Sequence, residues 1–118
     1  MTVKPYVLAE KAYLTDLRRH FHAHPEVSLQ EYETCKKIEG ELDSMGIPHK
    51  RIGETGVYGW IDGKKAGDGV TVALRADIDA LAMEDLKEVP YHSQNAGVCH
   101  ACGHDAHTCL LYTSDAAD

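Results

Sequence analysis

No stretch of this 118-residue chain approaches the ~20 consecutive apolar residues needed to cross a bilayer. Its first residues, Met1-Thr2-Val3-Lys4-Pro5, also lack the charged-then-apolar layout of a secretory leader. No membrane role is therefore expected, and the cytoplasm is the expected location. Positive charge is scarce too. Twelve Lys and Arg stand against nineteen Asp and Glu, a formal net charge of -7, which leaves no basic face for a nucleic-acid backbone. Blocks of like charge are missing as well, so the acidity reads as a solubilising surface rather than a docking tail. There is no internal repeat and no low-complexity run. What remains is 43% hydrophobic and 26% charged, ordinary for a globular chain of about one small domain. Cys99, Cys102 and Cys109 crowd together while Cys35 lies apart. In a reducing compartment that spacing points to metal binding or catalysis more than to a disulfide framework.

The first periodic segment predicts a helix, with Val7, Leu14 and Phe21 recurring every seven residues and Leu17 on the same face. His24-Pro25 ends it, because the residue before proline is pushed out of helical geometry. A second helix is predicted from a Ser28-x-x-Glu31 capping box. Leu29, Tyr32, Cys35, Ile38, Leu42 and Met45 mark its apolar face. Gly46 occupies the C′ position and Pro48 prevents continuation. The period then changes to strand, with a short one at 49–52 and a better one at 57–61. Asp62-Gly63 and Asp68-Gly69 are turn signals. Val70-Thr71-Val72-Ala73-Leu74 is apolar and β-branched, as expected of a buried sheet strand. Two helices followed by sheet strands predict an α/β domain, one with too few elements to cover both faces of its sheet.

Three clusters could carry chemistry. Asp77 and Asp79 follow the apolar strand, where ligands gather in open α/β sheets; the pair could bind or orient a metal, or equally could cap a helix and form a turn. His100-Ala101-Cys102-Gly103-His104-Asp105-Ala106-His107 places five potential ligands within eight residues, and Cys99 adds a sixth. Thiolate with imidazole suits zinc, and imidazole with carboxylate suits manganese, cobalt or nickel. Gly103 would let the backbone bend so that Cys102 and His104 face one ion. The third cluster, His20-Phe21-His22-Ala23-His24-Pro25-Glu26, is either a metal site or a helix end whose imidazoles complement the dipole. Cys99, Cys102, His104 and His107 could alternatively build a stand-alone structural zinc module.

Taken in order, Arg18-Arg19-His20-Phe21-His22-Ala23-His24-Pro25-Glu26, Leu74-Arg75-Ala76-Asp77-Ile78-Asp79-Ala80-Leu81 and His100-Ala101-Cys102-Gly103-His104-Asp105-Ala106-His107-Thr108 resemble the M20 metallopeptidases in their aminoacylase-like amidohydrolase branch. That branch includes hippurate hydrolases, N-acyl-amino-acid amidohydrolases and auxin-conjugate hydrolases. The resemblance implies a partial zinc-peptidase-like catalytic domain over 1–108, without the inserted dimerisation domain. It makes Cys102 and His104 metal ligands and Asp79 the catalytic aspartate that orients the site. Asp77, His22, His24, Asp105 and His107 become active-site neighbours. The implied cofactor is a divalent ion (Zn, Mn, Co or Ni), two per full-length site. The implied partner is a small-molecule N-acyl amino acid or related amide, and the full-length parent would be a homodimer or larger.

The implied reaction is amide hydrolysis, with a glutamate beyond the last motif as general base, so these 118 residues alone would be inactive. Two positions depart from the family pattern: Ala82 stands where proline is common and Cys99 where methionine is usual. The segment 109–118 reads as a non-native tail.

Overall fold

The computed structural model describes residues 2–65, 67 and 69–113. Pro5 opens helix α1 (Pro5–Ala9) at a position where a missing N–H costs nothing. Helix α2 (Lys11–Ala23) follows after Glu10, so the single expected helix is in fact two. The division follows the packing. Leu17 and Phe21 are buried, whereas Val7 stays exposed and α1 buries nothing. A first turn without core contact gains nothing from staying in line with the rest.

Helix α3 (Tyr32–Met45) starts later than the Ser28–Glu31 box predicts, and that box does not form. Val27 accepts a bond from the Gln30 N–H, and Leu29 sits between them at a φ of 67°. That left-handed conformation costs a branched residue roughly 1–2 kcal/mol, and it takes the chain out of helical geometry. The first turn of α3 is capped instead by Glu26. Its carboxylate accepts bonds from the N–H groups of Glu33 and Thr34 and from the Thr34 hydroxyl. The expected apolar face is narrower than its spacing suggests: Cys35, Ile38 and Leu42 are buried, but Leu29 and Tyr32 are exposed. At the far end the expectation holds. Gly46 closes α3 with a φ of 70°, where a side chain would be strained.

Strands β1 (His49–Ile52) and β2 (Gly56–Gly59) form an antiparallel hairpin, registered from His49 opposite Gly59 to Ile52 opposite Gly56. Val57 reaches the core from this hairpin, and Arg51 ties it to α3 through Glu39. The expected buried strand at Val70–Leu74 is a correction. Among the described residues it pairs with nothing, and Val70, Val72 and Leu74 are 91%, 78% and 66% exposed. A strand of that composition needs neighbours on both edges and layers on both faces, and the described residues supply neither.

The core is Leu17, Phe21, Ile38, Leu42 and Cys109, with Tyr13, Leu14, Met45, Ile47, Val57 and Ile78 around it. Cys109 belongs to helix α4 (His104–Thr113), which packs across α2. Burial pushes the Cys109 thiol up to about 12, so it acts as a small apolar side chain. Of the expected tail, residues 109–113 continue α4, and residues 114–118 lie outside the described residues. Between α2 and α4 the chain is pinned by short bridges. Ala80 donates to the Glu26 carbonyl at 2.8 Å, and Leu81 and Cys99 exchange two 2.9 Å bonds. Leu42→Ala should cost about 2–5 kcal/mol, whereas Val72→Ala should stay within about 0.5 kcal/mol. Urea unfolding of both variants checks this, and equal losses would contradict the placement of the core.

Candidate metal centre

The start of α4 is set by the residues before it. Gly103 adopts a φ of 98°, a conformation that suits a residue without a Cβ. The turn leaves Cys102 exposed and brings His104 onto the first position of the helix. There His104 Nδ1 lies 2.9 Å from Asp79 Oδ1 and 3.2 Å from the Asp79 carbonyl. A carboxylate on Nδ1 fixes the ring and its tautomer and leaves Nε2 available to a metal ion, the usual outer partner of a ligating histidine. Residues 25 apart in sequence thus meet as a pair. Thr108, one turn along α4, holds the same approach, its hydroxyl 2.8 Å from the His104 carbonyl and 3.2 Å from that of Asp77.

Asp77, Asp79 and His104 line an open cleft of about 520 Å³, together with Glu31, Arg75 and Thr108. The Asp77 carboxylate faces solvent and pairs with Arg75 at 2.6 Å. His107 is exposed on α4, with its ring centroid 6.1 Å from that of His104. His24 is exposed at the end of α2, bonded to the His20 carbonyl and stacked on His20. Its contacts are those of a helix terminus.

His22 and Asp105 lie inside. His22 is fully buried and Asp105 is 1% exposed. One oxygen, Asp105 Oδ2, receives both Arg18 Nε and His22 Nδ1 at 2.9 Å. The other accepts the Ala106 N–H at the start of α4. The second ring nitrogen of His22 meets Asp85 Oδ2 at 3.0 Å. Asp85 also accepts the backbone N–H groups of Ser93 and Lys87, and the Ser93 bond above all holds its carboxyl down to about 2. Nothing in the sequence singled out Asp85, because its role depends on a contact with a residue 63 positions away.

His100 is also buried, and neither of its ring nitrogens has a hydrogen-bond partner among the described residues. Burial lowers its proton affinity, with Asp105, His22, His104 and Asp79 as its electrostatic neighbours. An orphaned imidazole beside His104 is what a site for a further polar group would leave. The stand-alone zinc module is not favoured. Among the described residues, Cys99, Cys102, His104 and His107 do not gather into a group of three or more donors, and Cys99 is buried while Cys102 is exposed.

An oriented imidazole, an exposed thiol and clustered carboxylates on a mixed α/β frame are the donor types of a metal-dependent hydrolase. The comparisons agree. The profile of "Peptidase family M20/M25/M40" matches residues 73–117. A "Probable hydrolase sll0100" of Synechocystis is 48% identical over 98 residues, covering 82% of this chain and 25% of that protein. The Bacillus subtilis protein named "Putative amidohydrolase YhaA" is 48% identical over 99 residues, covering 83% and 24%. The crystal structure of Bacillus subtilis YXEP, described as a dinuclear metal binding peptidase from the M20 family, superposes with a TM-score of 0.86 at 39% identity. That match covers 93% of this chain and 31% of the other. The chain belongs to the M20 peptidase family, whose members include hydrolases and dinuclear metal-binding proteins. It spans about a quarter of the length of the curated relatives it matches.

Asp105→Ala leaves the Arg18 guanidinium and the buried His22 ring without their shared acceptor. It should therefore destabilise the fold by about 3–5 kcal/mol. Asp77→Ala removes only an exposed pair and should change stability by less than about 0.5 kcal/mol. Chemical denaturation of the two variants distinguishes a buried tie from a surface charge.

Proposed function

We propose that this chain carries part of the metal site of an amidohydrolase that cleaves the amide bond of N-acyl amino acids. The observation that carries the reading is the 2.9 Å contact between Asp79 and His104. It orients an imidazole at the mouth of a cleft, next to the turn that bears Cys102. Cys102 and His104 would hold a divalent ion, with Asp79 positioning His104. Asp77, His22, His24, Asp105 and His107 are neighbours of that set, either in space or in its motifs. The donor types fit. A thiolate and an imidazole suit zinc, while manganese, cobalt and nickel are compatible with the imidazole and carboxylates. The dinuclear description of the Bacillus subtilis relative supports two ions per complete site.

When bound, such an ion supplies polarisation of a carbonyl and acidification of water. The residues of this chain contribute the rest of what is proposed for it. Asp79 accepts the Nδ1 hydrogen of His104 and so keeps the Nε2 lone pair free. The cleft between Arg75 and His104 admits a small-molecule amide, and the Arg75 guanidinium is the cation there that could meet a carboxylate of the substrate. The general base is a glutamate that the family places beyond the last motif, so the 118 residues alone should not turn over substrate. The name of the YhaA relative supports an amide-directed reaction.

Isothermal titration with zinc or manganese tests the assignment. Asp79→Asn should weaken binding about 10–100-fold, His104→Ala and Cys102→Ala should weaken it further, and His107→Ala should be silent. Binding abolished by His107→Ala but untouched by Asp79→Asn would overturn the ligand assignment. Incubation of the metal-loaded chain with N-acyl amino acids should release no free amino acid. Metal-dependent turnover lost in Cys102→Ala would contradict the expected inactivity.

A further inference from the structure

A second set of donors lies on the far side of Asp105. His22 Nε2, Asp85 Oδ2 and Cys99 Sγ supply one ligand atom each, all within 4.8 Å of one another. The three come from α2, from the loop after Leu81 and from the bridge that pairs Cys99 with Leu81. His22 is fully buried, Cys99 is 5% exposed, and the Asp85 side chain is 3% exposed.

The arrangement around these atoms is ordered from outside. Asp105 Oδ2 sits on His22 Nδ1 at 2.9 Å and is itself held by Arg18. A neutral imidazole has one ring hydrogen for two carboxylate contacts, and with that hydrogen on Nδ1 toward Asp105 the Nε2 lone pair faces Asp85 Oδ2 at 3.0 Å. Two acceptors at that separation repel each other unless a cation lies between them. The cation is either a second proton on His22 or a metal ion. Asp85 is fixed in place by the N–H groups of Ser93 and Lys87, at 2.9 and 3.1 Å. The Cys99 backbone is fixed by its two bonds to Leu81. A carboxylate behind the histidine, backbone donors behind the aspartate and a thiol on a residue pinned by its bridge to Leu81 make the pattern of supporting contacts found around protein metal ligands.

We propose that His22, Asp85 and Cys99 form a buried transition-metal site, separate from the Cys102 and His104 set and suited to a zinc-class divalent ion. One nitrogen, one oxygen and one sulfur donor is a mixed set of the kind zinc and cobalt(II) accept. On binding, the Cys99 S–H bond breaks, the thiolate coordinates the ion and the proton leaves to solvent. Burial and the Asp85 carboxylate otherwise keep that thiol protonated. The site rests on different ligands from Cys102 and His104 and does not use Asp79, so either can fail alone.

Cobalt(II) titration of the 118-residue chain carrying Cys102→Ser tests the proposal, because thiolate coordination gives a near-ultraviolet charge-transfer band. The expected result is one bound equivalent with that band. The band should be lost in the Cys102→Ser, Cys99→Ser double variant, and the bound equivalent should be lost with Asp85→Asn. Absence of the band in Cys102→Ser would assign the cation between His22 and Asp85 to a proton and overturn the site. Persistence of the band after Cys99→Ser would overturn it too.

Native-state alkylation of the wild-type chain, mapped by mass spectrometry, gives the same decision without a variant that must fold. Cys99 is buried, so its alkylation is followed as a rate with and without cobalt, and a further slowing on cobalt supports the site. Cobalt that protects Cys102 alone overturns it.

Discussion

The Asp105 carboxylate is the constraint on which the rest of this structure depends. A buried anion is costly unless it is paired and fully hydrogen-bonded, and Asp105 meets that requirement with three partners from two helices. Arg18 and His22 come from α2, and the Ala106 N–H comes from α4 itself. The arrangement sets where α4 begins and presses it against α2, with Phe21 and Cys109 closing the apolar part of the same interface. It also decides the position of His104, the neighbouring residue, and hence whether an imidazole reaches Asp79. The interior tie and the exposed site are therefore one mechanical unit.

The two faces of that unit differ in chemistry. Toward the cleft, His104 is about a quarter exposed and is oriented by a carboxylate that is also partly solvated. Such a pair can exchange a ligand. Toward the interior, the side chains of His22, Asp85 and Cys99 are almost shut away from water, and backbone donors hold Asp85. That environment suits a structural ion. His100, buried with no partner among the described residues, lies electrostatically between the two. One segment of chain, from Cys99 to Asp105, thus contributes to both faces within seven residues.

Local signals in the chain were reliable where the physics was local. Gly46 ends α3 because its φ of 70° is a backbone property of that position, and the hairpin of β1 and β2 needs only neighbouring residues. The signals failed where a distant partner intervened. The Ser28–Glu31 box is an ordinary helix start, but Glu26 reaches the orphan N–H groups first and Leu29 turns the chain away. Val70–Leu74 has the composition of a buried strand, yet composition cannot create the neighbours that burial requires. Glu10 divides the first helix for a related reason: a seven-residue repeat says nothing about whether a core is present beneath each turn.

The chemistry divides along the same line. The order of three motifs was enough to identify the family, since His-Ala-Cys-Gly-His-Asp places its donors within a few bonds of one another whatever the fold does. It was also enough to select Asp79, Cys102 and His104 as residues of interest. Only the tertiary structure brought Asp79 onto His104, buried His22 beneath Asp105, and set Asp85 and Cys99 beside it. Those contacts span from 25 to 83 residues of chain. Sequence spacing determines which donors are covalently close, but distance through space is set by which apolar faces pack, and here that is the packing of α4 on α2.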